Sequence, residues 1–428
     1  MKITSIIARE VLDSRGNPTV AAKVILDNRA SGQAMVPSGA STGSYEAVEL
    51  RDGDKSRYGG TGVLRAIKNI QEVIAPALIG FDIEDQVGLD RALISLDGTD
   101  NKAKLGANAI LAVSLAAARA AATGLNIPLY QYLTKFNPDF NGSYYLPVPM
   151  MNILNGGKHA DWATDIQEYM VLPVGANDMA MAVRMCAEIY QSLKKTLKSA
   201  GYGIAVGDEG GFAPAVKSNR EAFELMAKAV STAGYNLGTD VIFGIDAAAT
   251  EFYHDGKYQL NKEGRVVDSA ELADFYAALQ SEFPIFSFED IFAEDDWEGF
   301  KNFLAKNQGA VQVVGDDLYV TNVSRLQKGI EEKASNSILI KLNQIGTLTE
   351  TVEAILLARR HGLSSVISHR SGETEDTFIA DLVVAMGTGQ IKTGAPARSE
   401  RTAKYNRLME ISMELGEKAI ISKFPFNL

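Results

Sequence analysis

Short apolar runs recur through the second half of the chain, and each one ends on a charged or polar side chain. The residues that end them are Asp246, Glu289, Asp316, Lys341, the pair His369 and Arg370, and Lys392. They follow one another at intervals of 23 to 43 residues, which suits one strand followed by one crossover helix. Helical patterns over residues 322–333 and 348–361 fill two of these intervals. The alternation predicts a parallel sheet.

The repetition of this unit predicts how the sheet closes. Six consecutive strand–helix units favour a closed barrel, with reactive groups at the carboxyl ends of its strands. Before them, apolar runs at 147–153 and 166–172 are too close for a crossover helix and should pair antiparallel. Helical patterns at 177–199 and 219–232 follow. We therefore predict an α/β fold with a C-terminal eight-stranded βα barrel that starts as ββαα and continues with six βα units.

The first third of the chain has a different pattern. Predicted strands at 3–9 and 18–26 precede helical patterns at 60–76, 83–96 and 105–123, which indicates a smaller α+β domain. Turn-forming residues concentrate at 135–142. We place the domain boundary there, with an N-terminal capping domain at 1–136 and the barrel domain at 137–428.

Composition narrows the cellular setting. The 428 residues carry a net charge of −11 and a single cysteine, Cys186. The acidic charge disfavours a broad nucleic-acid or membrane-binding surface, and one cysteine cannot form an internal disulfide. The first ten residues lack the apolar core of a signal peptide. The most apolar stretch, 108–122, is alanine-rich, as in a packed helix, so we expect a cytoplasmic protein.

Lys341 stands in an apolar run that reads as a buried strand, where a lysine is costly. A buried lysine is pushed toward neutrality and can act as a general base or a Schiff-base nucleophile. Lys392, if close, would lower the pKa of Lys341 further by like-charge repulsion. The alternative is a lysine at a strand end that reaches solvent.

Carboxylates and cations share the same predicted barrel mouth. Asp246, Glu289 and Asp316 are hard oxygen ligands on successive strands, which suggests Mg²⁺ or Mn²⁺ rather than Zn²⁺. Any one of them alone could instead cap a helix. Arg370 lies among hydroxyl groups in 368–374, a combination suited to a phosphate. A salt bridge is the alternative for this arginine.

Three loops have compositions that suit ligand binding. Residues 37–44 contain no bulky side chain, so this segment is either a plain surface loop or one that closes over a ligand. Acids stand among glycines at 207–214, and His159 follows two glycines on a third loop. Ordinary solvated turns are the alternative for both.

Five of these segments resemble the enolase family, in the right order and over essentially the whole chain. They are residues 37–43, 207–211, 341–347, 368–374 and 392–400. The resemblance implies reversible, Mg²⁺-dependent dehydration of 2-phosphoglycerate to phosphoenolpyruvate through an ene-diolate, in glycolysis and gluconeogenesis. The alternatives are another acid-sugar dehydratase or epimerase of the same superfamily, or an additional scaffold or surface-binding role without catalysis.

The resemblance also implies roles for individual residues. Two Mg²⁺ ions are expected per active site. The ligands of the first match Asp246, Glu289 and Asp316, and Ser41 matches the loop residue that binds the second when substrate is present. Lys341 matches the base at C2. Glu209 matches the acid at the C3 hydroxyl, with Glu168 nearby. The remaining matches are a closing-loop residue, His159, and substrate-binding positions at Gln167, His369, Arg370, Ser371 and Lys392.

Partners and departures follow from the same resemblance. It implies a homodimer or sometimes an octamer, no nucleic-acid or membrane partner, and a cytoplasmic protein with a surface or secreted fraction in some relatives. Trp162 and Ile291 stand where relatives more often carry other residues, which bears on loop closure and rate. The C-terminal residue is leucine, so the terminal lysine that some surface-displayed relatives use is missing.

Overall fold

The structure is a computed structural model that describes residues 1–40 and 43–427. The N-terminal domain begins with an antiparallel sheet in the order β1-β2-β3, formed by β1 (Ile3–Leu12), β2 (Pro18–Leu26) and β3 (Ser31–Met35). The first two strands and the three helices were predicted, whereas β3 was not. The short segment Ser31–Met35 carries three small residues and a glutamine, so its apolar signal is weak.

Three helical segments of this domain lie close to the predicted ranges. The first contains α1 (Leu64–Asn69), a π-helical turn (Ile70–Ile74) and α2 (Ala75–Leu78), and the others are α3 (Gln86–Asp97) and α4 (Ala107–Gly124). A further short helix, α5 (Leu129–Leu133), was not predicted. Among the described residues, α4 alone has the length and mean hydropathy, 1.3, of a membrane span, but 83% of that stretch is buried inside the protein. It is therefore the packed helix that its alanine content predicts.

A close approach explains why α4 is so rich in alanine. The helix packs on β2 and β3, and Gly32 lies directly against it. A Cβ atom at Gly32 would lie 2.1 Å from the backbone nitrogen of Ala120, so only glycine fits. Small side chains on the helix and a glycine on the strand together let the two backbones touch.

The second domain is a closed eight-stranded barrel, as predicted. Around the ring the strands are β11 (Ile285–Glu289), β12 (Gln312–Gly315), β13 (Ser337–Ile340), β14 (Ser364–Ser368), β15 (Gly389–Lys392), β5 (Val148–Asn155), β6 (Glu168–Leu172) and β7 (Ile242–Asp246). Only β6 runs against its neighbours, because too few residues separate it from β5 for a crossover. The irregular ββαα start is thus confirmed.

Helices cover the outside of the barrel. They are α6 (Met179–Ser199), α7 (Asn219–Thr232), α8 (Ser269–Glu282), α9 (Trp297–Lys306), α10 (Val323–Glu332), α12 (Leu348–Arg360), α13 (Phe378–Met386) and α14 (Ser399–Leu415). The single turn α11 (Leu342–Ile345) lies instead at the barrel mouth, where Asn343 contacts Arg370. Several of the outer helices begin at a short polar side chain that accepts a backbone N–H, which satisfies part of the open helix end. These caps are Asp178, Ser218, Asp268, Asp296, Asn322 and Thr347.

Small elements that the sequence did not predict complete the chain. A three-stranded meander follows β7 and consists of β8 (Tyr253–His254), β9 (Lys257–Leu260) and β10 (Arg265–Val267). Near the C-terminus, β16 (Ala419–Ile421) pairs in parallel with β4 (Tyr144–Leu146), just before β5. The division at residue 136 falls directly after a 3₁₀ turn, Thr134–Phe136, and stays a prediction.

The barrel strands carry three layers of side chains, because residues two apart on a strand share a face. A polar layer at one end consists of Ser287, Gln312, Ser337, Ser364 and Gln390. The middle layer is apolar and includes Val314, Leu339 and Val366, which belong to one buried cluster. At the carboxyl end, the same faces present Glu289, Lys392 and the residues after each strand. The chemistry-bearing layer is the top one.

Gln312 holds the polar layer together. Its amide contacts Ser287, Ser337, Ser364 and Gln390 at distances of 2.8 to 3.1 Å, and the side chain is fully buried. A buried polar group that loses its partner costs about 1–3 kcal/mol.

We therefore expect Gln312→Met, which preserves side-chain volume but leaves the partner groups without their hydrogen bonds, to lower the free energy of unfolding by about 1–3 kcal/mol. Urea denaturation followed by circular dichroism measures this. The matched control is Gln327→Met on α10, where the amide makes an exposed bond to Glu331. An equal loss in both variants would show that the polar layer contributes no more to stability than a surface hydrogen bond does.

Candidate active site

One cavity opens at the carboxyl end of the barrel, and it collects most of the predicted site residues. Its lining includes His159, Gln167, Glu168, Glu209, Asp246, Asp316, Lys341, His369, Arg370, Ser371 and Lys392. Glu289 lies fully buried just behind, in contact with Lys392. Ser41 lies outside the described residues. Residues that are distant in sequence therefore meet at the mouth that the strand-end pattern predicts.

Lys392 is the centre of the site's electrostatics. Its ammonium nitrogen lies 2.6 Å from Glu289 Oε1, 3.1 Å from Asp246 Oδ2 and 3.2 Å from Glu168 Oε2. Burial lowers the pKa of Lys392, but the surrounding carboxylates outweigh burial and raise it well above its usual value. The side chain is therefore a permanent cation that neutralises part of a dense negative cluster.

Lys341 forms an ion pair with Asp316. Burial lowers the pKa of Lys341, and Arg370 and Lys392 lower it as well, but Asp316 outweighs them and the net shift is upward. The sequence predicted the repulsion from Lys392 and missed the carboxylate that opposes it. In this arrangement Asp316 keeps Lys341 in its charged form. Lys341 can therefore accept a proton only when another cation pairs with Asp316.

The carboxylates at the mouth fit a divalent cation. Glu289 Oε2 is buried and makes no hydrogen bond to any described residue. Burial and the charge of Asp246 raise the pKa of Glu289 well above its usual value, so the site is short of positive charge. Oxygen donors from Asp246, Glu289 and Asp316, without cysteine, suit Mg²⁺. These residues would hold the first ion.

Further acids, which the sequence analysis did not single out, lie at the same place. Among the described residues, Asp290, Asp316 and Asp317 form a set whose ligand atoms lie within 4.8 Å of one another. Asp290 accepts the backbone N–H groups of Asp316 and Asp317 at 2.8 and 2.7 Å. It therefore positions a predicted ligand. Adjacency to Glu289 and Asp316 in the sequence was the available signal.

Two glutamates, Glu168 and Glu209, line the same cavity, and Glu168 contacts Lys392. Glu209 Oε2 accepts a hydrogen bond from Asn152 at 2.9 Å, and His159 Nδ1 lies 3.7 Å from Glu209 Oε1 and 3.9 Å from Glu168 Oε1. These residues and a second histidine, His369, surround the side of the cavity where the resemblance expects an acid.

The pKa values of the two glutamates move apart. Burial raises the pKa of Glu168 well above its usual value, and the charge of Glu209 raises it further. Burial also acts on Glu209, but the neighbouring histidines and Arg401 outweigh it, so its pKa falls well below the usual value. The two pKa values therefore shift in opposite directions, whereas the resemblance assigned the acid role to Glu209 alone.

Arg370 is held by the N-terminal domain. Its guanidinium donates to both carboxylate oxygens of Glu46 at 2.9 and 3.0 Å, and to Asn343 at 2.9 Å. Glu46 was not predicted, because an acid in a loop carries no distinctive pattern. The pair ties the segment that follows the 37–44 loop to the predicted phosphate position.

Backbone contacts close the same side of the mouth. Ser38 and Gly372 exchange two hydrogen bonds of 2.7 and 2.8 Å, and the backbone of Ala40 donates to Ser371 Oγ at 2.7 Å. The N-terminal domain therefore acts as a cap on the barrel.

In the His159 loop, Asp161 and Trp162 both adopt positive φ, 50° and 59°, a conformation that is rare for such side chains.

Fold and site together define a class: βα-barrel enzymes that carry acid, base and metal-ligating groups at the mouth, beneath an N-terminal cap. Family models agree with this class. The model described as enolase, N-terminal domain, matches residues 3–133, and the model described as enolase, C-terminal TIM barrel domain, matches residues 143–425. The chain belongs to the enolase family, so it is a lyase-type enzyme of the enolase superfamily.

The buried histidine of the site predicts a pH effect on stability. Burial lowers the pKa of His369 to about 4 from 6.5. Between these values the unfolded chain binds a proton that the folded protein excludes, so stability falls as pH drops from about 6.5 to about 4. The difference corresponds to about 3 kcal/mol.

We expect His369→Gln to remove this contribution, so its free energy of unfolding should decline less between pH 6.5 and 4 than that of the wild type. The matched control is His361→Gln, because His361 is exposed. Chemical denaturation at a series of pH values measures both. Parallel curves for wild type and His369→Gln would contradict the neutral buried state of His369.

Proposed function

We propose that this enzyme interconverts 2-phosphoglycerate and phosphoenolpyruvate by removing or adding water across C2 and C3. The supporting observation is that one cavity is lined by Lys341, by the Glu168–Glu209 pair and by Arg370 and Lys392. A β-elimination with a poor leaving group needs a base and an acid on opposite sides of the substrate. A phosphorylated substrate also needs a fixed guanidinium.

Each chain residue has a specific task in this proposal. Divalent ions held by Asp246, Glu289 and Asp316 would supply electrostatic stabilisation for a carboxylate that gains a second negative charge. Lys341 takes the proton from C2 once another cation balances the charge of Asp316. Arg370 orients the phosphate, and Lys392 supplies fixed positive charge beside the substrate carboxylate.

The acid side is a pair in this proposal. Burial and the charge of Glu209 raise the pKa of Glu168, while the neighbouring histidines lower that of Glu209, so the two groups differ in proton affinity. A proton can pass from the pair to the departing C3 hydroxyl, directly or through a water molecule. Glu209 then does not have to carry the proton before the reaction starts, although it belongs to the pair that delivers the proton.

The setting and assembly are part of the same proposal. A single buried cysteine and an acidic net charge support a reducing, cytoplasmic environment. The proposal includes a homodimer on the family resemblance alone.

The direct test is Mg²⁺-dependent formation of phosphoenolpyruvate from 2-phosphoglycerate, followed by absorbance. Non-phosphorylated hydroxy acids serve as competing substrates in the same assay. Turnover of these acids without turnover of 2-phosphoglycerate would indicate a different reaction of the superfamily.

Base and acid should be separable by exchange. Lys341→Ala should lose turnover and also lose exchange of the C2 hydrogen with solvent deuterium, because both need the base. Glu209→Gln and Glu168→Gln should lose turnover by at least roughly 10²-fold but keep exchange. Deuterium incorporation followed by NMR decides this, and persistent exchange in Lys341→Ala would remove the lysine from its role.

Metal should stabilise the folded protein. An ion that binds only the native state at about 100 times its dissociation constant adds about 2.7 kcal/mol, so Mg²⁺ should raise the melting temperature and a chelator should reverse the rise. Glu289→Gln should fold but respond less. Asp274→Asn, at an exposed ion pair with Lys306, should respond like the wild type. A melting temperature that does not change when Mg²⁺ is added would refute the metal site.

A further inference from the structure

Arg401, in the first turn of α14, is fully buried yet belongs to neither the sheet nor the cavity lining. Its guanidinium contacts four acceptors on two loops. It lies 2.5 Å from His369 Nδ1, 2.6 Å from the carbonyl of Arg370, 2.5 Å from that of Ser371 and 3.1 Å from that of Asp208. One side chain therefore bridges the loop of the substrate-binding arginine and the loop of Glu209.

The contact with His369 has a chemical consequence. A guanidinium can only donate hydrogen bonds, so Nδ1 of His369 must be an acceptor and carries no proton. The neutral imidazole then carries its hydrogen on Nε2. Nε2 is buried, 3.4 Å from Glu209 Oε2, which is longer than a normal hydrogen bond. The N–H of Nε2 therefore lies near the carboxylate without forming a full hydrogen bond to it.

We propose that Arg401 is a positioning residue that fixes His369 as the neutral Nε2–H tautomer and holds the Glu209 and Arg370 loops in register. A neutral donor beside Glu209 stabilises the ionised carboxylate without competing for the proton. If the clamp is lost, the imidazole can rotate, change tautomer or take up a proton, and the acid side of the site loses its orientation.

The surroundings of His369 are consistent with this role. The charged side chains that face it are Glu209, Arg401 and Glu373, and its backbone N–H donates to the carbonyl of Lys392 at 2.9 Å. Burial opposes protonation most, and the charge of Arg401 adds to it, while the two carboxylates favour it. The proposal rests on the proposed function only for its kinetic consequence, because the tautomer is a property of the resting protein.

The tautomer can be read directly in the wild-type protein. With four histidines in the chain, ¹⁵N–¹H correlation spectra of the imidazole rings are simple, and His369→Gln assigns the His369 signals by their disappearance. At pH 7 we expect one unprotonated nitrogen, Nδ1, and one protonated nitrogen, Nε2. A protonated Nδ1 in the wild type, whether as the other tautomer or as imidazolium, overturns the proposal without any variant.

Arg401→Met is the second arm, because it keeps a long side chain and removes every donor. We expect the His369 signals to lose the single-tautomer pattern. C2 exchange should persist, since Lys341 is untouched, while turnover falls on the order of 10²-fold through kcat more than KM. Unchanged His369 signals in a folded Arg401→Met protein contradict the proposal.

The matched control is Arg407→Met on the same helix. Arg407 forms ion pairs with Asp381, Glu410 and Glu414 and makes no contact with either loop. It should leave the His369 spectrum and turnover unchanged. Equal effects in both variants would assign the loss to the helix rather than to the clamp. If 2-phosphoglycerate is not the substrate, the tautomer result still stands or falls by itself.

Discussion

The active site depends on one interaction, the contact of a single buried ammonium with three carboxylates. Lys392 lies within 3.2 Å of Glu168, Asp246 and Glu289, which come from three different barrel strands. Without that cation, the carboxylates at the mouth would repel one another in a medium of low dielectric constant. The lysine therefore allows the protein to concentrate the negative charge that a divalent ion needs, and it holds the strand ends together while it does so.

The N-terminal domain completes the site from the other side. Glu46 pairs with Arg370, and the backbones of Ser38 and Ala40 bond to Gly372 and Ser371. In the proposed function, the substrate phosphate and a carboxylate of the cap meet the same guanidinium. The position of the cap and the occupancy of the phosphate site would then be coupled through one side chain, which connects the barrel chemistry to the preceding domain.

Much of the fold could be predicted because the barrel signal is periodic. Each strand ends where an apolar run meets a residue such as Asp246 or Lys392, and that pattern is local in the sequence. The pairing of Lys341 with Asp316 was missed, because the sign of a pKa shift depends on distances across strands. Glu46, Asp290 and Arg401 were missed for the same reason, since an isolated charged residue does not reveal its partner.

The three layers inside the barrel have a consequence for how such a protein changes over time. On strands β12, β13 and β14, an apolar layer of Val314, Leu339 and Val366 lies between the glutamine and serine layer and the charged mouth. These three side chains carry no charge and no polar group. Substitutions at the mouth of these strands can alter reactivity without contacting the hydrogen bonds of Gln312 below. The residues at the mouth and those in the layers below can therefore change independently during evolution, and a new reaction can arise on an unchanged barrel.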